Sequence, residues 1–107
     1  MKVLLDECVD EYLAREQSGH QATTVGKIGW SGLKNGQLLR RAVAEGFEAF
    51  VTTDRNLSFQ NNIATVELAV FVLRSRSNNW IDLKPLLPQL LEAMVVAEPR
   101  TVTFIGP

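Results

Sequence analysis

Lys2-Val3-Leu4-Leu5-Asp6-Glu7 and Phe50-Val51-Thr52-Thr53-Asp54 decide the reading of this chain. Each is an apolar run that ends in acid. If both are parallel strands, Asp6, Glu7 and Asp54 lie at the carboxyl edge of one sheet, where open α/β sheets build their sites. Two or three carboxylates there can hold a hard divalent cation, Mg²⁺ or Mn²⁺, which takes oxygen ligands. Taken singly, each acid has a local reading of equal weight. Asp6 or Glu7 would serve as an N-cap or first-turn acid, worth about 0.5–2 kcal/mol, and Asp54, followed by Arg55 and Asn56, as a turn residue. The pair is more telling than its members. Strand-end acids on neighbouring strands repel unless something positive sits between them, and a metal ion, Arg55 or Arg74 would each meet that need.

Working outward, Lys2 to Leu5, Gln21 to Val25, Glu48 to Thr53, Ala69 to Leu73 and Val102 to Ile105 read as strands, rich in apolar and β-branched residues. Helical spacing lies between them. Cys8, Val9, Tyr12 and Leu13 share a face, with Gly19 as a stop, and Leu38, Leu39, Ala42 and Val43 share another, ended by Gly46. A short helix is expected around Phe59 to Ala64. Leu83, Leu86, Leu87, Leu90, Leu91, Met94 and Val95 trace one helix face, with Asp82 as cap and Pro85 in the first turn. Strands alternating with helices predict an α/β fold, a three-layer α/β/α sandwich around a mainly parallel five-stranded sheet. The 107 residues fit a single domain spanning 1–107.

The chain is 46% hydrophobic and 21% charged, as globular domains are, and its net charge of −1 excludes a general polycation. Any nucleic-acid binding would rest on a local basic patch or a metal. The one cysteine, Cys8, makes no internal disulfide and suits a reducing cytoplasm; no signal-peptide pattern or membrane-length apolar run is expected. The sequence has no nucleophile triad, no CxxC pair and no phosphate-binding glycine motif. His20 reads as a turn residue, Cys8 as a small core residue, and Trp30 and Trp80 as gap fillers rather than base-stacking platforms.

Met1-Lys2-Val3-Leu4-Leu5-Asp6-Glu7 and Val51-Thr52-Thr53-Asp54-Arg55-Asn56-Leu57 resemble the first and third strand-end motifs of PIN-like domains. Gly19-His20, Gly29-Trp30-Ser31-Gly32-Leu33 and Asn35-Gly36-Gln37-Leu38-Leu39 fit the small, stand-alone bacterial members of that group. The resemblance implies an α/β/α fold and a Mg²⁺- or Mn²⁺-dependent endoribonuclease of the toxin type, acting on RNA, paired with an antitoxin protein and forming a homodimer. It implies metal roles for Asp6 and Asp54, with Glu7 shaping the catalytic site. Two further acidic positions of the family fall on Asn35 and Asn56. Asparagine ligates through its carbonyl without charge, so a weaker metal site is expected. The alternative is a module that keeps the fold and binds RNA or protein without catalysis. Arg55, Arg74 and Arg76 are the candidates for phosphate contacts, with Arg74 foremost because it ends the fourth strand. A phosphoacceptor domain of the receiver type ranks lower, since the fifth strand runs into Ile105-Gly106-Pro107 with no lysine.

Overall fold

A computed structural model describes residues 1–16 and 19–107. The sheet is wholly parallel, in the order β2-β1-β3-β4-β5. Its strands are β1 (Lys2–Leu5), β2 (Gln21–Thr24), β3 (Ala49–Thr52), β4 (Ala69–Leu73) and β5 (Thr101–Ile105). The helices are α1 (Tyr12–Arg15), α2 (Asn35–Ala44), α3 (Leu57–Gln60), α4 (Trp80–Leu83) and α5 (Leu87–Val95). The expected five-stranded α/β sandwich is therefore present, each strand within a residue or two of its expected position.

Alternation along the strands separates two cores. Val3, Leu5, Ala49, Val51, Phe71 and Leu73 point into one layer, against Leu13 of α1, Leu83 of α4, and Leu90 and Met94 of α5. Leu4, Phe50, Val70 and Val72 point into the other, against Leu38, Leu39 and Ala42 of α2 and Leu57 of α3. A parallel sheet covered on both faces must be apolar on both, which is why these strands read as unbroken hydrophobic runs.

The helices depart more from expectation than the strands. Between β1 and α1 the chain makes turns, with Val9 N–H donating to the Asp6 carbonyl (3.0 Å) and Leu13 N–H to that of Asp10 (3.0 Å). The Asp10 carboxylate also accepts from Tyr12 N–H at 3.0 Å. Helical geometry thus starts at Tyr12 instead of Cys8, because Asp10 offers the backbone a local partner of the kind that favours turns and caps. The expected end of that helix includes residues 17 and 18, outside the described residues. α2 closes as its sequence predicts. Gly46, at φ +84°, donates to the Val43 carbonyl (3.1 Å), and Phe47 N–H reaches back to Ala42 (2.9 Å), the paired bonds of a Schellman ending.

The last helical stretch is broken in two. A 3₁₀ turn over Lys84–Leu86 separates α4 from α5, where Pro85 and Pro88 remove backbone donors and crowd the preceding turn. The helix also begins earlier than expected, at Trp80. Asp82 lies in its first turn and accepts a 2.5 Å hydrogen bond from the Ser77 hydroxyl. Leu83, Leu90 and Met94 stay buried, whereas Val95 is 82% exposed.

Phe50 is fully buried at the centre of the sheet, whereas Phe59 on α3 is 82% exposed. Phe50→Ala is expected to lower the free energy of unfolding by about 3–5 kcal/mol, the cost of lost burial plus a cavity. Phe59→Ala should stay within about 0.5 kcal/mol of wild type. Urea denaturation of the two variants checks both.

Candidate functional site

The acid edge is formed where β1 and β3 pair in parallel, Leu4 beside Phe50 and Leu5 beside Val51. The pairing continues one step past β1, since Asp6 N–H donates to the Val51 carbonyl at 2.9 Å. In this strand order, β1 lies between β2 and β3. The chain passes from β1 to β2 on one side and returns to β3 on the other, and α1 and α3 pack in opposite layers; such a switch point is where open α/β sheets place their sites. Asp6 and Asp54 flank it.

Thr52 ties the two acids together. Its hydroxyl donates to Asp6 Oδ2 at 2.7 Å and accepts from Asp54 N–H at 3.0 Å. Glu7 N–H donates to Asp6 Oδ1 at 2.9 Å. Asp6, 9% exposed, thus has one donor on each carboxylate oxygen, as a buried charge requires. Asp54 is half-buried; its Oδ1 accepts from Asn56 N–H at 2.9 Å, closing a turn ahead of α3. Among the described residues its Oδ2 has no hydrogen bond.

Around this pair lies a polar wall that sequence reasoning missed. The Thr53 hydroxyl donates to Asn78 Oδ1 at 2.6 Å, joining the end of β3 to the loop after β4. The Cys8 thiol lies 3.2 Å from the same hydroxyl while its other side packs on the core. Cys8 is therefore both core and site wall, and it sits in a turn instead of a helix. The only advance signal was the hydroxyl pair Thr52-Thr53 at a strand end. Nothing local marks Asn78 as its partner, 25 residues away.

The other expected site residues are distributed as follows. Glu7 is exposed beside Asp6. Asn56 meets Asp54 through its backbone. Asn35 opens α2, half-buried, and among the described residues no hydrogen bond joins it to either acid. Arg55 and Arg76 are exposed, in the segments that follow β3 and β4 at the acid edge. Arg74 turns to β5, where its Nη2 donates to the Gly106 carbonyl at 2.8 Å and its guanidinium lies 5.3 Å from the Phe104 ring centre. Trp30 is buried and packs edge-on against Phe47, with ring centres 5.8 Å apart, as a gap filler. Trp80 is half-buried against Tyr12.

Burial raises the Asp6 carboxyl above its ordinary value of 3.8, helped by the nearby Glu7 charge. The hydrogen bonds from Thr52 and Glu7 N–H pull the other way without cancelling it. Among the described residues no three His, Cys, Asp or Glu side chains converge as a metal-holding group. The donor set is two carboxylates with neutral oxygens around them. This fits Mg²⁺ or Mn²⁺ bound through one or two carboxylates and otherwise through water or phosphate, a mode common for Mg²⁺. No protein-family model, curated protein or solved structure matches the chain in comparisons with known proteins.

A raised carboxyl pKa means that the folded state binds the Asp6 proton more tightly than the unfolded chain does. The stability this confers is complete below pH 3.8 and is lost as pH rises through the folded pKa. Wild type should therefore lose stability relative to Asp6→Asn as pH rises from below 3.8 to 7, as measured by urea unfolding at each pH. Thr52→Val removes the donor that restrains the shift. It should push the Asp6 pKa higher still, followed by carboxyl carbon NMR, and destabilise the fold by about 1–3 kcal/mol through unmet polar groups.

Proposed function

We propose that the chain is a metal-dependent endoribonuclease of the PIN-like toxin type, paired with an antitoxin protein. One observation carries this reading. The Asp6 carboxylate and the Asp54 backbone N–H, at the ends of neighbouring strands, are joined at one sheet edge through a single threonine hydroxyl. Such an edge suits phosphodiester hydrolysis, which needs oxygen ligands and no nucleophilic side chain. A bound Mg²⁺ or Mn²⁺ would activate water and stabilise charge on the phosphoryl oxygens.

The chain's own residues divide the remaining tasks. Thr52 and Glu7 N–H fix the Asp6 carboxylate in one orientation, so its ligand geometry is set before substrate arrives. Asp54 keeps its Oδ2 without a hydrogen bond among the described residues, and the exposed Glu7 adds negative charge beside Asp6. Arg55 and Arg76, exposed at the same edge, supply the positive charge that draws an RNA backbone towards two carboxylates that would otherwise repel it. Because Asp6 must be ionised to ligate, metal affinity should fall as pH is lowered through its raised pKa. A cytoplasmic setting and a homodimer accord with this reading.

A second reading is favoured by a specific observation, the absence of a third converging acid among the described residues. On that reading the same edge binds RNA or protein without cleaving it. Mn²⁺ titration by calorimetry, comparing wild type with the folded Asp6→Asn, Asp54→Asn double variant, separates the two. The nuclease reading expects binding in wild type, none in the double variant, and cleavage of single-stranded RNA that EDTA abolishes and Asp6→Asn lowers about 100-fold or more. No heat at millimolar Mn²⁺, with RNA binding indifferent to EDTA, would sink it in favour of the silent module.

A further inference from the structure

We propose that β5 is an isologous interface, pairing antiparallel with β5 of a second copy of this chain about a two-fold axis at Thr103. β5 is an edge strand, hydrogen-bonded to β4 alone. Its register with β4 and the Arg74 N–H bond to the Ile105 carbonyl (2.8 Å) set which residues face inwards. Thr101, Thr103 and Ile105 direct their backbone groups to β4, and by alternation Val102 and Phe104 direct theirs outwards.

Those outward residues lie symmetrically about Thr103. An antiparallel partner centred there sets Val102 opposite Phe104 of the second copy, and the reverse, each as a hydrogen-bonded pair. Every outward donor and acceptor of the two residues is then matched. Their side chains share the face on which Val102 packs and Phe104 remains 36% exposed, so the pairing also sets an aromatic ring against a β-branched residue.

The edge lacks the features by which sheet edges avoid association. Natural edges are blunted by charge, proline, bulges or shortness. Thr101-Val102-Thr103-Phe104-Ile105 has no charge and no proline. Arg100, just before it, is paired with Glu67 of its own chain, and the Arg74 guanidinium over Phe104 is held to the Gly106 carbonyl of its own chain. The opposite edge, β2, is shorter and lies beside a groove whose lining includes the charged Glu11, Arg15 and Lys27 along with small and hydroxyl residues.

Area decides what else must take part. Two short strands cannot supply the roughly 1,200–2,000 Å² of a stable interface. The flanks of β5 extend the contact. A groove between α5 and β5 is lined by Ala93, Val96, Ala97, Glu98, Thr101 and Thr103. Val96, 76% exposed, lines its helix side, next in sequence to Val95, 82% exposed. The two-fold axis runs through the sheet, so both copies of α5 lie on the same side, where these residues, small or apolar apart from Glu98, meet.

Sedimentation equilibrium of the whole chain and oxidative cross-linking test the proposal together. Wild type should dimerise at micromolar concentration, and Phe104→Lys, with unchanged circular dichroism, should weaken dimerisation about ten-fold or more. Thr103→Cys should give a disulfide-linked dimer under mild oxidation, because it meets its own symmetry mate in a close, non-hydrogen-bonded pair. Thr101→Cys, opposite Ile105, should not. A wild type that stays monomeric at high micromolar concentration overturns the proposal. So does a dimer that survives Phe104→Lys while Thr103→Cys fails to cross-link, which would place the interface elsewhere.

Discussion

The parallel pairing of β1 with β3 is the constraint on which the rest of the molecule depends. It puts the most buried runs of the chain side by side, Val3-Leu4-Leu5 against Ala49-Phe50-Val51, and commits their side chains alternately to the two cores. It also fixes the register at which both runs stop. Because Asp6 N–H still bonds to Val51, the first acid emerges level with Thr52, not beyond it. A slip of one residue would carry Leu4 and Phe50 into the wrong layers and part Asp6 from Thr52. Core packing and site geometry are therefore enforced by the same hydrogen bonds.

That arrangement holds a carboxylate where burial penalises its charge. The direction of the Asp6 shift shows that its two donors do not fully offset the loss of water. A group kept there for stability alone would be better replaced by an apolar side chain of similar size. Asp10 offers the contrast within the same chain. It too accepts a backbone donor, two residues on, but it remains half-exposed and merely starts α1. An acid held at a sheet switch point against an electrostatic cost, beside a second acid with an oxygen to spare, is the arrangement expected of a functional site.

The strands were legible because a doubly covered parallel sheet admits little but apolar residues, and the stretches meeting that demand are few. The two strand-end acids followed directly. The helices were less legible because their limits are set by local competition. Asp10 delays α1, and Pro85 and Pro88 split what the leucine periodicity draws as one helix. The least legible features were the long-range polar contacts. That Thr53 would bond to Asn78, or that Arg74 would turn from the acids to Gly106 and Phe104, depends on the path of chain far away in sequence. Arg74 follows directly on β4, and its backbone continues the pairing with β5. The side chain follows that strand, while the loop residues Arg55 and Arg76 stay exposed.

The strand order also sets how the candidate site and the open edge stand to one another. The acids lie at β1 and β3, and the edge is at β5, with β4 between. Adjacent strands lie roughly 4.8 Å apart, so the paired edge is about 10 Å from the β3 acid along the sheet. Antiparallel joining of two parallel sheets points the carboxyl ends of their strands in opposite directions. The acid edges of a β5-paired dimer would then open on opposite sides of a continuous sheet, each complete within its own chain. Neither copy lends a residue to the other's acid edge. Association through β5 would thus extend the sheet while leaving each acid edge separate.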